Sequence, residues 1–341
     1  MNWFVWRQHR KQFLSLGLVL IAFAAFIIPS GVHFWHTYQQ ALSTCAQNPN
    51  TPNCSDLEGN LLTSGGDALI MRGAVLGALA LPLVVALFIG SPLLASEYAE
   101  GTSKLVWTQS ISRRKWLSVK LAWALSFALL YGVAVALLVS WWSRTINALH
   151  QFRLGQGHFE TQGFMPAAYA LFFTAFAIAI SAWFRKTLVA LAVTFGVFVL
   201  CVIGFGQWVR PHYATPITVT TAMGPNAIEA KLPTGAWVLK KDIIDAHGNV
   251  HSNFSVTDMP KECQALTQDI QVPAGSRAAK VKASGGDPVD DCLNSAGWHQ
   301  VATYQPSYRY WDFQRIEAGI YLGLAIAAVG ATYWLVLRND A

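Results

Sequence analysis

Residues 97–120, EYAEGTSKLVWTQSISRRKWLSVK, form a charged segment of helix-forming composition between two long apolar stretches. The flanking stretches, Gly73 to Leu94 and Leu117 to Trp141, each provide about the 20 apolar residues that a helix needs to cross about 30 Å of hydrocarbon. Because charged side chains are costly inside a bilayer, the segment between two such helices must lie at a membrane face.

The composition of the whole chain agrees with this prediction. Of the 341 residues, 53% are hydrophobic and only 12% are charged, and 14 are tryptophans. An ordinary soluble domain has about 25% charged residues. The composition therefore excludes a soluble globular protein and predicts an all-α polytopic membrane protein.

Six stretches are long and apolar enough to be transmembrane helices. They are Phe13 to Trp35, Gly73 to Leu94, Leu117 to Trp141, Phe164 to Phe184, Thr187 to Trp208 and Ile316 to Leu337. Only Arg185 and Lys186 separate the fourth from the fifth, so these two are predicted to form a tight helical hairpin.

The positions of Lys and Arg in the short flanks predict the orientation, because cytoplasmic loops carry an excess of both. With the N-terminus inside, the cytoplasmic flanks hold Arg7, Arg10, Lys11, Lys104, Arg113, Arg114, Lys115, Lys120, Arg185, Lys186 and Arg338. The two short outer loops hold Arg72, Arg144 and Arg153. Both termini are therefore predicted to be cytoplasmic, and the net charge of +6 reflects topology rather than nucleic-acid binding.

The segment 210–315 differs in composition from the rest of the chain and is long enough for a small domain. YATPITVTTA and GAWVLKKDII have strand-like composition, and DAHGNV resembles a turn. The predicted organisation is transmembrane helices 1–5 within 1–209, a small, partly β extracellular domain at 210–315, and the sixth helix with a short tail at 316–341.

Four of the five cysteines fall in predicted outer loops. Cys45 and Cys54 share the first loop, and Cys263 and Cys292 share the large one. An oxidising exterior would favour the disulfides Cys45–Cys54 and Cys263–Cys292, and free thiols are the alternative.

The first apolar stretch is longer than the h-region of a signal peptide and is predicted to be retained. Before it, Trp3, Phe4 and Trp6 alternate with basic residues, a pattern typical of a short helix lying in the membrane interface. A frayed basic N-terminus is the alternative.

Sequence motifs for catalysis or cofactor binding are missing from the chain. It has no GxxxxGK[ST] phosphate loop and no CxxC pair, and its nine histidines are scattered. The chain is therefore predicted not to be an enzyme and to bind no cofactor or metal.

The pattern SEYAEGTSKLVWTQSISRRKWLSVKL at residues 96–121 resembles the membrane subunit of type-2 ABC exporters. Such subunits commonly carry an acidic residue, then Gly-Thr, a basic pair and a lysine that enters the third helix. YRYWDFQRIEAGIYLGLA, before the last apolar stretch, is similar to actinobacterial members of that class.

The resemblance implies that the loop 95–116 contains a coupling helix that docks on a separate ATPase. The docking region would consist of Glu97, Glu100, Gly101 and Thr102, with Arg113, Arg114 and Lys115 near the membrane surface. The alternative is that these charges only set the topology.

The resemblance also implies the partners and the location. Two cytoplasmic ABC ATPase subunits would bind ATP and Mg, and a second permease subunit, most simply an identical one, would complete the complex among membrane lipids of the plasma membrane. The implied function is outward transport of a hydrophobic or amphipathic compound such as a drug, an antibiotic or a lipid-like molecule.

Two other functions remain open from the sequence. The first is a membrane sensor or regulatory scaffold whose outer domain binds a ligand. The second is an intramembrane enzyme, which would need polar residues that converge within one leaflet.

Overall fold

A computed structural model describes most of the chain in two compact units. The described residues are 2–47, 65–99, 112–149, 153–224, 227–252, 254–268 and 287–339. The first unit comprises Met1–Tyr213 with Tyr310–Ala341, and the second is Ala214–Arg309. The second unit is thus slightly shorter at both ends than the predicted domain at 210–315.

The first unit is helical and contains the six predicted membrane spans. They are His9–Gln47, Ala68–Ala99, Arg113–Trp142, Met165–Phe184, Thr187–His212 and Ser307–Arg338, called spans 1 to 6 below. Their α-helices are Asn2–Gln47, Gly65–Val85 and Pro92–Ala99, Arg113–Trp142, Met165–Phe184, Thr187–Gly204 and Tyr310–Asn339, with the short helices Arg144–Leu149 and His158–Thr161 between spans 3 and 4. The prediction of an all-α polytopic membrane protein is confirmed.

The helical unit has two sides at which its spans begin and end. The termini side is where spans 1, 3 and 5 begin and spans 2, 4 and 6 end. The insertion side is the opposite one, where residues 214–309 are inserted between spans 5 and 6.

The first helix runs without a break from Asn2 to Gln47. The sequence predicts a separate interfacial helix around Trp3, Phe4 and Trp6, but those residues begin the same helix as span 1. No proline or glycine precedes Gly17, so nothing in the backbone chemistry interrupts the helix there.

Spans 2 and 5 each contain a π-turn that ends two residues before a proline. The π-turns are Ala86–Gly90, before Pro92, and Phe205–Val209, before Pro211. Proline has no N–H, and its ring clashes with the carbonyl group four residues earlier, which favours a wider turn. The extra residue rotates the following side chains by about 100° relative to an uninterrupted helix.

The hairpin between spans 4 and 5 is as tight as predicted. Arg185 ends span 4 with a positive φ of 55°, and its amide donates to the Ser181 carbonyl at 3.0 Å. Its guanidinium lies 4.8 Å from the centroid of the Tyr98 ring. A non-glycine residue rarely adopts this conformation, and here the cation–π contact accompanies it.

Span 4 is the centre of the helical unit. In its most apolar window 67% of the residues are buried, compared with 22% in spans 1 and 5. Glycines allow its neighbours to approach closely. A Cβ atom added at Gly132 of span 3 would lie 2.7 Å from the Ala167 Cα and the Pro166 carbonyl oxygen.

We expect Gly132→Ala to destabilise the helical unit by about 1–3 kcal/mol, because the methyl group would force spans 3 and 4 apart. The measurement is the melting temperature of the detergent-purified protein. Gly196→Ala in span 5 is the matched control, since an added Cβ atom there meets nothing within 4 Å. Equal melting temperatures for the two variants would contradict this account of the packing.

The described residues of the second unit include the strands β1 Ile217–Ala222, β2 Trp237–Ile244, β3 Val250–His251 and β4 His299–Gln305, and the helices Ala227–Lys231, Lys261–Gln268 and Pro288–Ser295. These strands form an antiparallel sheet in the order β1, β4, β2, β3. The two predicted strand segments and the turn between β2 and β3 are confirmed. In that turn Asp245 Oδ1 accepts hydrogen bonds from the amides of His247 and Asn249.

The predicted disulfide between Cys263 and Cys292 is present and joins two helices of this unit, with their Cα atoms 5.6 Å apart. It lies in a buried cluster with Met223, Leu293 and Trp298. The other predicted bridge, Cys45–Cys54, stays a prediction because residue 54 lies outside the described residues.

Candidate functional site: two buried ion-pair clusters

A buried ion pair joins the end of span 2 to the start of span 3 on the termini side. Glu97, in the helix Pro92–Ala99, pairs with Lys120 of span 3, and their side chains are 8% and 1% exposed. The Lys120 ammonium also lies 4.8 Å from the centroid of the Trp116 ring. Breaking such a pair would leave a buried charge uncompensated, so the pair couples the positions of the two spans.

The structure places the predicted docking residues in different environments. Glu97 is buried against Lys120, Arg113 is half-buried, and Arg114 and Lys115 are exposed. Ser112 caps the helix of span 3 by accepting a hydrogen bond from the Lys115 amide at 3.4 Å. Glu100, Gly101 and Thr102 lie outside the described residues. The docking role of these seven residues therefore stays a prediction, and the structure adds an intramolecular contact for Glu97.

A second charged cluster lies on the insertion side and is fully buried. Arg210, at the end of span 5, donates to both carboxylate oxygens of Glu317 in span 6 at 3.0 Å. The same guanidinium lies 2.7 Å from Glu160, in the short helix before span 4. All three side chains are 0% exposed. We call Arg210, Glu160 and Glu317 the insertion-side triad.

Local structure explains how two members of the triad reach their positions. Arg210 follows the π-turn of span 5, and its amide donates to the Phe205 carbonyl, so its side chain points inward rather than continuing the lipid-facing side of the helix. Glu160 Oε2 accepts from the Gly157 amide at 2.5 Å, which orients the carboxylate at the N-terminus of its helix.

Further contacts saturate the hydrogen-bonding capacity of Glu317. The hydroxyls of Tyr169 and Tyr213 each donate to it at 3.3 Å, in addition to the two bonds from Arg210. The guanidinium also lies 3.8 Å from the centroid of the Phe159 ring. Charge-assisted and bidentate hydrogen bonds are strong, so this arrangement fixes spans 4, 5 and 6 relative to one another.

Burial perturbs titratable groups beside the triad. Burial raises the pKa of Tyr213, and the nearby Glu317 carboxylate raises it further, so the phenol remains a proton donor. Burial lowers the pKa of His158, although the charge of Glu160 acts in the opposite direction. His158 therefore favours its neutral form next to the triad.

The sequence does not predict this triad. It assigns Arg210 to the outer domain, whereas the structure places this residue, fully buried, in the helical unit together with Glu317 of the sixth span. The available signal is that Arg210 and Glu317 are charged residues at the ends of apolar stretches. Their partners cannot be identified from the sequence, because 107 residues separate them.

An open apolar groove of about 620 Å³ runs between spans 3, 4 and 6 on the insertion side. It is lined by Leu129, Val133, Ala136, Leu137, Gly163, Phe164, Ala167, Ala168, Leu171, Arg315, Ala318, Gly319 and Leu322. Among the described residues that line it, Arg315 alone is charged.

Among the residues that the structure describes, no three His, Cys, Asp or Glu side chains are grouped so that they could hold a metal ion. The two buried clusters are ion pairs that connect helices.

Comparison with known protein families gives a match over much of the chain. The model of a family described as "ABC-2 membrane transporter related" matches residues 17–210, which is more than half of the chain. The match extends over most of span 1 and all of spans 2 to 4, and it ends at Arg210 in span 5. No curated protein and no solved structure matches the chain.

Proposed function

This chain belongs to the ABC-2 membrane transporter related family, and from that premise we propose that it is the permease subunit of an ATP-driven exporter. Family membership makes it a membrane-embedded transporter subunit. The direction of transport, the cargo and the energy source are parts of the proposal.

The single observation that carries the proposal is the family match, since it includes the segment between spans 2 and 3. A separate cytoplasmic ATPase, in two copies, would bind ATP and Mg and press on this segment. The buried pair of Glu97 and Lys120 supports that role, because it would transmit a displacement of the segment into both spans. Hydrolysis would then occur on the partner and not on this chain.

The proposed location is the plasma membrane, with both termini in the cytoplasm. Basic residues concentrated at the termini side of the spans support this orientation. The disulfide in the second unit agrees with it, because such bonds persist in oxidising compartments. Residues 214–309 would then be extracellular.

The proposed cargo is a hydrophobic or amphipathic compound that moves outward along the interface between two identical permease subunits. The apolar surfaces of the spans support this cargo class. On span 5, Leu188, Phe195 and Leu200 are 80%, 54% and 72% exposed. Such a surface suits apolar partners or cargo better than ions.

Purification of the tagged full chain from its native membrane tests the proposal. We expect an ATPase with a phosphate loop to copurify in a 1:1 ratio. The complex in proteoliposomes should move a fluorescent amphipathic dye only when ATP and Mg are present on the ATPase side. A complex whose ATPase carries a substituted phosphate-loop lysine is the matched control. Dye transport by the chain without any ATPase would refute the proposal.

A further inference from the structure

The groove between spans 3, 4 and 6 is open on the outer surface of the helical bundle rather than enclosed within it. Buried alanines form its floor: Ala136, Ala168 and Ala318 are 8%, 4% and 7% exposed. Its walls are exposed: the residues Leu137 and Leu322 are 67% and 42% accessible at the surface. Because the surrounding medium is a bilayer, hydrocarbon has direct access to the groove.

The length of the groove along span 6 is comparable to the thickness of one leaflet of the bilayer. Along span 6 its lining extends from Arg315 to Leu322, which is about 10 Å at 1.5 Å per residue. Half of the hydrocarbon core is about 15 Å thick. An acyl chain that enters from the insertion side would therefore lie against the groove over most of its length.

Aromatic side chains mark the end of the groove that faces the membrane surface. Phe164 and Trp311 are half exposed, and their ring centroids are 5.5 Å apart. Exposed Trp141 lies near the end of span 3 on the same side. Exposed aromatic residues of this kind are enriched at the level of lipid headgroups.

Two opposite charges lie at this end of the groove. Arg315 lines the groove, and Asp312 lies one turn closer to the N-terminal end of the span 6 helix, further from the hydrocarbon. Arg315 Nη1 donates to Asp312 Oδ1 at 3.2 Å, and the side chains are 71% and 64% exposed. An exposed pair of this kind is weak and can exchange partners.

We propose that this groove binds one phospholipid with a zwitterionic, amine-bearing headgroup. The acyl chain fills the apolar groove, the phosphate accepts hydrogen bonds from Arg315, and the ammonium group lies against Asp312. The order of these groups along the lipid matches the order of groove, cation and anion along span 6. Guanidinium and phosphate form strong bidentate contacts.

The charges favour a lipid over a second copy of this chain. An apolar helix packed into the groove would bury Arg315 and Asp312 without providing new polar partners, and that is costly. The inference rests on membrane insertion and on the groove itself, so it is independent of the proposed function.

Native mass spectrometry of the full chain tests the proposal. The protein is purified in detergent and mixed with micelles that contain equal amounts of phosphatidylethanolamine and phosphatidylglycerol. We expect one phosphatidylethanolamine per chain to remain bound. Arg315→Ala should weaken its binding about tenfold, because a charge-assisted hydrogen bond is lost. Asp312→Asn should remove the preference for the ethanolamine headgroup.

Two pairs of variants separate this site from general lipid contact. Gly319→Leu should displace the lipid by filling the groove, whereas Gly330→Leu, on the same helix but outside the lining, should not. An added Cβ atom meets nothing within 4 Å at either position, so both variants should fold. Arg144→Ala removes an exposed cation on the same side without touching the groove.

Three results would overturn the proposal. In the first, the wild-type protein retains the two lipids equally. In the second, Arg315→Ala and Arg144→Ala lose lipid binding to the same extent. In the third, Gly319→Leu dissociates a dimer and leaves lipid retention unchanged. The first two would indicate unspecific lipid contact, and the third would indicate an interface between copies.

Discussion

Replacing Arg210 with methionine is expected to destabilise the helical unit by about 3–5 kcal/mol. The variant removes the only guanidinium of the insertion-side triad and leaves Glu160 and Glu317 buried next to each other, both 0% exposed. Two carboxylates without a cation must either repel each other or take up protons, and both outcomes cost free energy. The measurement is the melting temperature of the detergent-purified protein, which should fall by several degrees.

Three further variants define the cause of that loss. Combining Arg210→Met with Glu160→Gln and Glu317→Gln should recover much of the stability, because no net charge then remains buried. Arg210→Lys should be intermediate, since lysine keeps the charge but lacks the fork that contacts Glu317 at two points. Arg144→Met removes an exposed arginine and should have little effect. An Arg210→Met protein that melts like the wild type would show that the triad does not stabilise the fold.

Replacing Glu97 with glutamine is expected to reduce ATP-driven transport about tenfold or more. The substitution leaves the Lys120 ammonium buried without its counter-charge, and breaking a buried pair costs about 3–5 kcal/mol. A loss of even about 1.4 kcal/mol of coupling corresponds to a factor of ten. The measurement is dye transport and ATPase stimulation in proteoliposomes that contain the complete complex.

The reciprocal exchange Glu97→Lys with Lys120→Glu is the decisive companion of this variant. It restores opposite charges at the same two positions and should recover part of the transport. Recovery should be incomplete because the cation then no longer lies over the Trp116 ring. Arg114→Gln, at an exposed position on the same side, controls for the loss of a charge near the start of span 3.

Two outcomes would count against the coupling role. One is unchanged transport by Glu97→Gln in a correctly assembled complex. The other is equal transport defects in Glu97→Gln and Arg114→Gln, which would point to surface charge rather than to the buried pair.

The elements that could be predicted from the sequence depend on local chemistry. A stretch such as Thr187 to Trp208 enters a bilayer because its own side chains are apolar. Only Arg185 and Lys186 connect spans 4 and 5, and a connection of two residues requires a tight hairpin. The turn at Asp245 follows from the ability of an aspartate to accept hydrogen bonds from nearby amides. The disulfide between Cys263 and Cys292 could be predicted because both residues fall in one loop.

The candidate site could be predicted only in part. Glu97 was recognisable as an acidic residue of a family-like motif, which implies contact with a separate ATPase. The structure shows instead a buried side chain paired with Lys120. The triad was not predictable, because its members come from three separate segments. The inward turn of Arg210 depends on a π-turn before Pro211, a departure from α-helical periodicity that the apolar pattern of span 5 does not reveal.

The apolarity of each contiguous segment is enough to specify a helical membrane protein with six spans, because insertion into lipid depends on that local property. Which charges become partners depends on how the helices pack, since Arg210 pairs with a glutamate 107 residues away. Such pairs are set by helix packing around span 4, where close contacts at Gly132 and the two π-turns determine which side chains point inward. A buried charge is stable only next to an opposite charge. Such neighbours come together only once the spans have packed.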